Sequence, residues 1–102
     1  MATYKQTVSY SVPTTGATVT IPSFDGVELL VFLNPAGTLA TLTVNMPSVV
    51  TDGQKVSIMS SQVLTLITMG GGTILSAITT MGVNAFATYA YSATNTTWFR
   101  LN

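Results

Sequence analysis

The chain has no cysteine and no histidine, and only six charged side chains in 102 residues. Each absence removes a class of chemistry. Without cysteine there is no disulfide framework, no thiolate zinc site and no thiol nucleophile. Without histidine the commonest general acid–base group is missing. The acids are Asp25, Glu28 and Asp52 alone. Glycosidase chemistry wants two carboxylates facing each other across a cleft, about 5 to 10 Å apart. Asp25 and Glu28 instead flank a turn and a strand start. A calcium site needs more oxygen donors at defined spacing. "GGGT" at 70–73 lacks the lysine and following helix of a phosphate-binding loop. Asn95-Thr96-Thr97 matches a glycosylation acceptor, with no sign of a secreted protein around it. The chain therefore reads as a non-enzyme with no cofactor and no metal.

Partners are narrowed in the same way. Lys5, Lys55 and Arg100 lie far apart, so no groove tracks a phosphate backbone and no nucleic acid is expected. The longest apolar stretch, "VELLVFL" at 27–33, is far below the ~20 residues that span a bilayer. The opening "MATYKQTVSYSV" has no apolar core of a signal peptide. No membrane partner is expected.

What the chain does have is β-strand chemistry. Hydrophobic residues make up 47%, and Thr and Ser recur in "TTGATVT", "GTLATLT" and "SATNTT". Such a surface is polar but offers no charge repulsion between copies, and the net charge is zero, which favours association. The chain is either a neutral monomeric domain or a subunit of an assembly. Its length allows one domain, residues 1–102, with one core.

Thr and Val are the commonest residues, Ile and Tyr add to the strand formers, and the charged helix formers are sparse, with one Glu and two Lys. Tyr4, Gln6, Val8, Tyr10 and Val12 alternate with polar residues, as do Val19 and Ile21. Turn chemistry punctuates the chain at "PTTG", "SFDG", "NPAG", "TDGQ", "GGG" and "TNTT". Asn34, Pro35 and Gly37 form one such turn, and Asp52 and Gly53 another. "TILSAITT" at 73–80 fits a strand or an irregular segment laid over a sheet edge. About eight short strands at nearly regular spacing predict a compact, all-β, antiparallel β-sandwich or small barrel. A faint echo links "GTLATLTVNM" at 37–46 with "GTILSAITTM" at 72–81, and chance in a Thr-rich chain explains it equally well.

Three segments, 27–33, 62–69 and 85–91, are apolar on both faces. A single sandwich of this length has one core, so each strand should show its other face to water. The second face needs a loop, a second subunit or a scaffold to cover it. Burying a Leu or Phe contributes roughly 1.5–3 kcal/mol, so Leu30, Phe32, Met59 and Phe86, with Tyr4, Val8 and Tyr10 of the first strand, are the candidate interface toward a second subunit or a scaffold. Tyr89, Tyr91, Trp98 and Phe99 form a candidate aromatic cluster. Exposed and coplanar, these rings would stack on sugars; buried, they would fill a core. Arg100 beside them suits a surface cap, a cation–π contact or an inter-subunit donor.

The runs "NPAGTLATLTVNMP", "DGQKVSIMSSQVLTLITM", "GGGTI" and "FATYAYSATNTTWFRL" resemble small β-rich modules of bacteriophage virion proteins, found as head decoration (cement) proteins or in head and tail fibres. The resemblance covers residues 34–101, and "MP" at 46–47, "DGQ" at 52–54 and Tyr91…Asn95…Trp98-Phe99-Arg100-Leu101 carry most of it. It implies a family-like β core at 34–102 and an attachment region within 1–33. It further implies a non-enzymatic structural role, a homotrimer, and a major capsid protein or other virion protein as partner. The expected location is the capsid exterior, after synthesis in the bacterial host cytoplasm. The alternative is a fibre or receptor-binding tip with a carbohydrate-binding role.

Overall fold

Pro13 and Pro35 are both buried, and each follows the end of a strand by two residues. They mark the same corner on successive turns of one winding chain. The computed structural model describes residues 6–24 and 27–101. Nine strands fall in two sheets, and among the described residues there is no helix. The strands are β1 (Gln6–Ser11), β2 (Ala17–Thr20), β3 (Glu28–Leu33), β4 (Leu42–Asn45), β5 (Lys55–Ser60), β6 (Ile67–Gly70), β7 (Thr73–Ile74), β8 (Phe86–Ser92) and β9 (Thr97–Arg100).

The all-β expectation holds, but the sandwich or barrel does not. β1, β3 and β5 pair side by side in parallel, and so do β2, β4 and β6. The chain therefore winds three solenoid coils, β1–β2, β3–β4 and β5–β6. Each coil visits the long sheet and then the three-stranded one. Parallel neighbours need a crossover, and here the rest of each coil supplies it. The predicted turns "PTTG", "NPAG" and "TDGQ" are corners of this winding, whereas "TNTT" joins β8 to β9 as a hairpin; Asp25 and Gly26 of "SFDG" lie outside the described residues. A third wall is stitched by the parallel bridge between Leu39 and Leu64. The Thr15 hydroxyl serves the same wall in the first coil, accepting from the amides of Ala40 and Thr41 at 3.1 and 3.3 Å.

Residues 62–69 are accordingly not one two-faced strand. The chain bends around Leu64, which is buried, and Leu66, which is exposed, before β6 begins. The 37–46 segment stacks on 62–71 through the Leu39–Leu64 and Leu42–Ile67 pairs, not on 72–81. The structural repeat is instead "ATVTIP" over "LTVNMP", with Ala17 on Leu42 and Val19 on Val44.

Only Thr73 and Ile74 of 73–80 are strand. Beyond them the Leu75 amide donates to the Trp98 carbonyl of β9, and the Thr79 carbonyl accepts from the Ile67 amide of the third coil. β8 runs antiparallel on β5, β9 antiparallel on β8, and β7 parallel on β9. Residues 73–100 thus close the C-terminal end of the coil stack. The long sheet has the order β1-β3-β5-β8-β9-β7.

The core fills the two inner coils. Leu29, Val31 and Leu33 of β3, Val56 and Ile58 of β5, and Leu42 and Val44 of β4 are buried among Leu39, Leu64 and Met81. The first coil is built differently. Its inward positions on β1 include Ser9 and Ser11, and its apolar side chains Val8, Tyr10 and Val12 are exposed.

Candidate functional site

Strand alternation sorts the long sheet into an inner face that makes the core and an outer face that does not. The register then fixes which outer residues are neighbours. Tyr10 pairs with Phe32, Phe32 with Met59, and Met59 with Phe86. Four strands thus lay one apolar strip across the sheet. Tyr10 is 62% exposed, Met59 43% and Phe86 56%. Beside it runs the row Val8, Leu30, Ser57, Thr88, apolar on β1 and β3 and polar on β5 and β8. The next row brings Glu28 alongside Lys55.

The polar part of the face is tied down. The Ser57 hydroxyl donates to Glu28 Oε2 at 3.0 Å and lies 3.2 Å from the Thr88 hydroxyl. At one end of the apolar strip lies a shallow pocket of about 230 Å³, walled by Tyr10, Phe32 and Met59 and rimmed by Asn34, Ser61 and Asn84. Its rim is a hydrogen-bonded chain across three coils. Asn34 Nδ2 donates to the Tyr10 hydroxyl at 2.8 Å, and the Ser61 hydroxyl donates to Asn34 Oδ1 at 2.7 Å. The amide thus fixes the tyrosine ring at the edge of the strip.

Six of the seven expected interface residues therefore share one outer face: Val8, Tyr10, Leu30, Phe32, Met59 and Phe86. Tyr4 lies outside the described residues. Sequence reasoning assigned Asn34 only a turn role and missed Ser61 and Asn84 altogether. For Asn34 and Ser61, a polar residue one step beyond β3 and β5 was the available signal.

The aromatic cluster is divided. Tyr89 and Trp98 are 0% and 2% exposed and belong to the core. Tyr91 packs on Trp98 with ring centroids 5.2 Å apart and planes at 60°. Phe99 is half-buried and pairs with Ala90. Two buried rings and a tilted pair make no flat platform for a sugar. The Tyr89 hydroxyl accepts from the Ile78 amide at 3.0 Å and donates to the Ser76 carbonyl at 3.1 Å. Burial raises its pKa above the ordinary value, against the smaller opposing effects of the Ile78 amide and of Arg100.

Of the predicted turns, Asp52–Gly53 is a true turn, with Gly53 at φ +85°. Asp52 Oδ1 accepts from the Ala93 amide at 2.8 Å, and the Gly53 amide donates to the Tyr91 carbonyl. Gln54 is buried. Its Oε1 accepts from the Thr51 amide and its Nε2 donates to the Phe24 carbonyl. "DGQ" therefore locks the third coil to the second and to the β8–β9 turn. Pro35 sits at a buried corner, and Gly37 does not take a positive φ.

Among the described residues, no three of His, Cys, Asp and Glu gather as a metal site, and no helix is long and apolar enough to cross a membrane. Compared with known proteins, the chain matches no family model, no curated protein and no solved structure.

Proposed function

We propose that the chain is a non-enzymatic structural subunit of a bacteriophage virion, a capsid decoration protein that works as a homotrimer. The outer face of the long sheet is its contact surface, toward its own copies and toward the major capsid protein. One observation carries this reading: the strip Tyr10–Phe32–Met59–Phe86 crosses four strands on the outer face, with Tyr10, Met59 and Phe86 exposed and Phe32 half-buried. Contiguous apolar surface of this kind marks an interaction site. Its neutral surroundings, with Glu28 beside Lys55, oppose no association. The sequence resemblance to virion modules supplies the setting.

A fibre module is the second reading, and the coils favour it. Stacked coils are the geometry of a shaft, whereas the buried Tyr89 and Trp98 weaken a sugar-binding tip. Electron cryomicroscopy of the source virion tests both. Density for the chain on the outer head supports decoration, density confined to a fibre supports the second reading, and particles lacking the chain overturn both.

A further inference from the structure

The two ends of the coil stack are unlike. At the C-terminal end β8 pairs on β5, and residues 79–81 cover the third coil at Leu64 and Ile67, with β6 the outermost strand of the short sheet. At the other end β1 is the outermost strand of the long sheet and β2 that of the short one. Among the described residues, no segment pairs with either outer edge. The interior is also incompletely covered there. Pro13 and Ile21 are buried there, but Ser9, Ser11, Ala17 and Val19 are only half-buried, whereas Val31, Leu33, Leu42 and Val44, one coil further in, are fully buried.

Natural edge strands are blunted by charge, proline, bulges or a covering segment. β1 and β2 contain neither a charged residue nor a proline. Residues 6–24 as a whole hold no Asp, Glu, Lys or Arg.

We propose that this N-terminal end is a twofold pairing site for a second copy of the chain, in which β1 of each copy adds antiparallel to β1 of the other. The occupant follows from symmetry and charge. A head-to-tail stack is blocked on the long sheet, because β8 already occupies the outer edge of β5. Identical ends meeting about a twofold axis run their edge strands antiparallel and close after two copies. Two identical surfaces without charge meet with no like-charge repulsion, as here. Opposed residues in an antiparallel pair share a face. Val8 therefore meets Val8 or Tyr10 of the second copy on the outer face, and Ser9 correspondingly pairs with Thr7 or Ser9. The contact runs along the β1 edge, next to the Tyr10 end of the apolar strip, and it would join two strip-built oligomers end to end.

The absence of native cysteine makes a direct test possible. Opposed strand residues have Cα atoms about 4.5–5.5 Å apart, within the reach of a disulfide. Val8→Cys and Ser9→Cys are prepared in the full chain, with Thr68→Cys, exposed on β6, as a collision control. Circular dichroism confirms retained strand content. Under mild oxidation at micromolar protein, Val8→Cys or Ser9→Cys yields covalent dimer about tenfold or more faster than Thr68→Cys. Equal rates, or no covalent dimer from either β1 variant, overturns the proposal. A foreign strand on this edge would give the second result.

Discussion

The Tyr89 hydroxyl reaches across from β8 to the Ser76 carbonyl at 3.1 Å, so a core aromatic holds down the segment that closes the coil stack. The same oxygen accepts from the Ile78 amide. Tyr89→Phe keeps the ring and removes both bonds, leaving a buried amide unpaired. The expected loss is about 1–3 kcal/mol, read as a lower urea midpoint with an unchanged slope. Proteolysis within 74–80 should rise alongside.

Tyr89 also sets an alkaline limit. Burial favours the neutral phenol, so the folded protein holds this proton more tightly than the unfolded chain, whose tyrosine titrates near 10.0. Stability is therefore intact below about pH 10 and falls as pH rises from there through the folded-state value. Urea midpoints between pH 9 and 11 should decline in the wild type and decline less in Tyr89→Phe. Parallel declines would contradict this.

Asp52 and Gly53 separate side-chain from backbone roles. Asp52→Asn retains an oxygen to accept from Ala93 and should change stability by less than about 0.5 kcal/mol. Gly53→Val meets no neighbour but forces a β-branched residue to φ +85°, a strain of about 1–3 kcal/mol. Thermal melts of the two variants should differ accordingly.

Gly71 is the most demanding glycine. It lies at φ +84°, and a Cβ there would sit 2.7 Å from the Met46 carbonyl oxygen and 2.8 Å from its nitrogen. Backbone on backbone cannot swing aside. Gly71→Ala should destabilise by about 2–4 kcal/mol. Gly37→Ala, with nothing within 4 Å and an ordinary φ, should be close to neutral in the same melt.

Deleting residues 1–12 removes β1, whose described inward side chains are the half-buried Ser9 and Ser11. The core of coils two and three is untouched. The variant should keep its strand spectrum and lose capsid binding. Unchanged pelleting with capsids would remove β1 from the attachment role.

How much of this was legible in the sequence follows from what period-two alternation encodes. It locates strands and sorts their faces, so the outward Leu30, Phe32, Met59 and Phe86 could be named. It does not encode whether the next strand returns antiparallel or winds onward in parallel. The coil step would have revealed that, but it is irregular. Gln6 stacks on Glu28 and Glu28 on Lys55, 22 and then 27 residues apart. Corner loops of unequal length hid the repeat, although "ATVTIP" and "LTVNMP" kept it in view. The pocket rim was invisible for another reason. Tyr10, Asn34 and Ser61 meet only once three coils are stacked.

The central claim is that the outer strip of the long sheet drives assembly. Sedimentation equilibrium on the wild type and on a Met59→Lys/Phe86→Lys double variant tests it most directly. Both positions are exposed and lie outside the core, so the variant should stay folded. The account predicts a wild-type oligomer built on trimers at tens of micromolar, and a mass about threefold lower for the variant. A monomeric wild type, or equal masses for the two proteins, would contradict it.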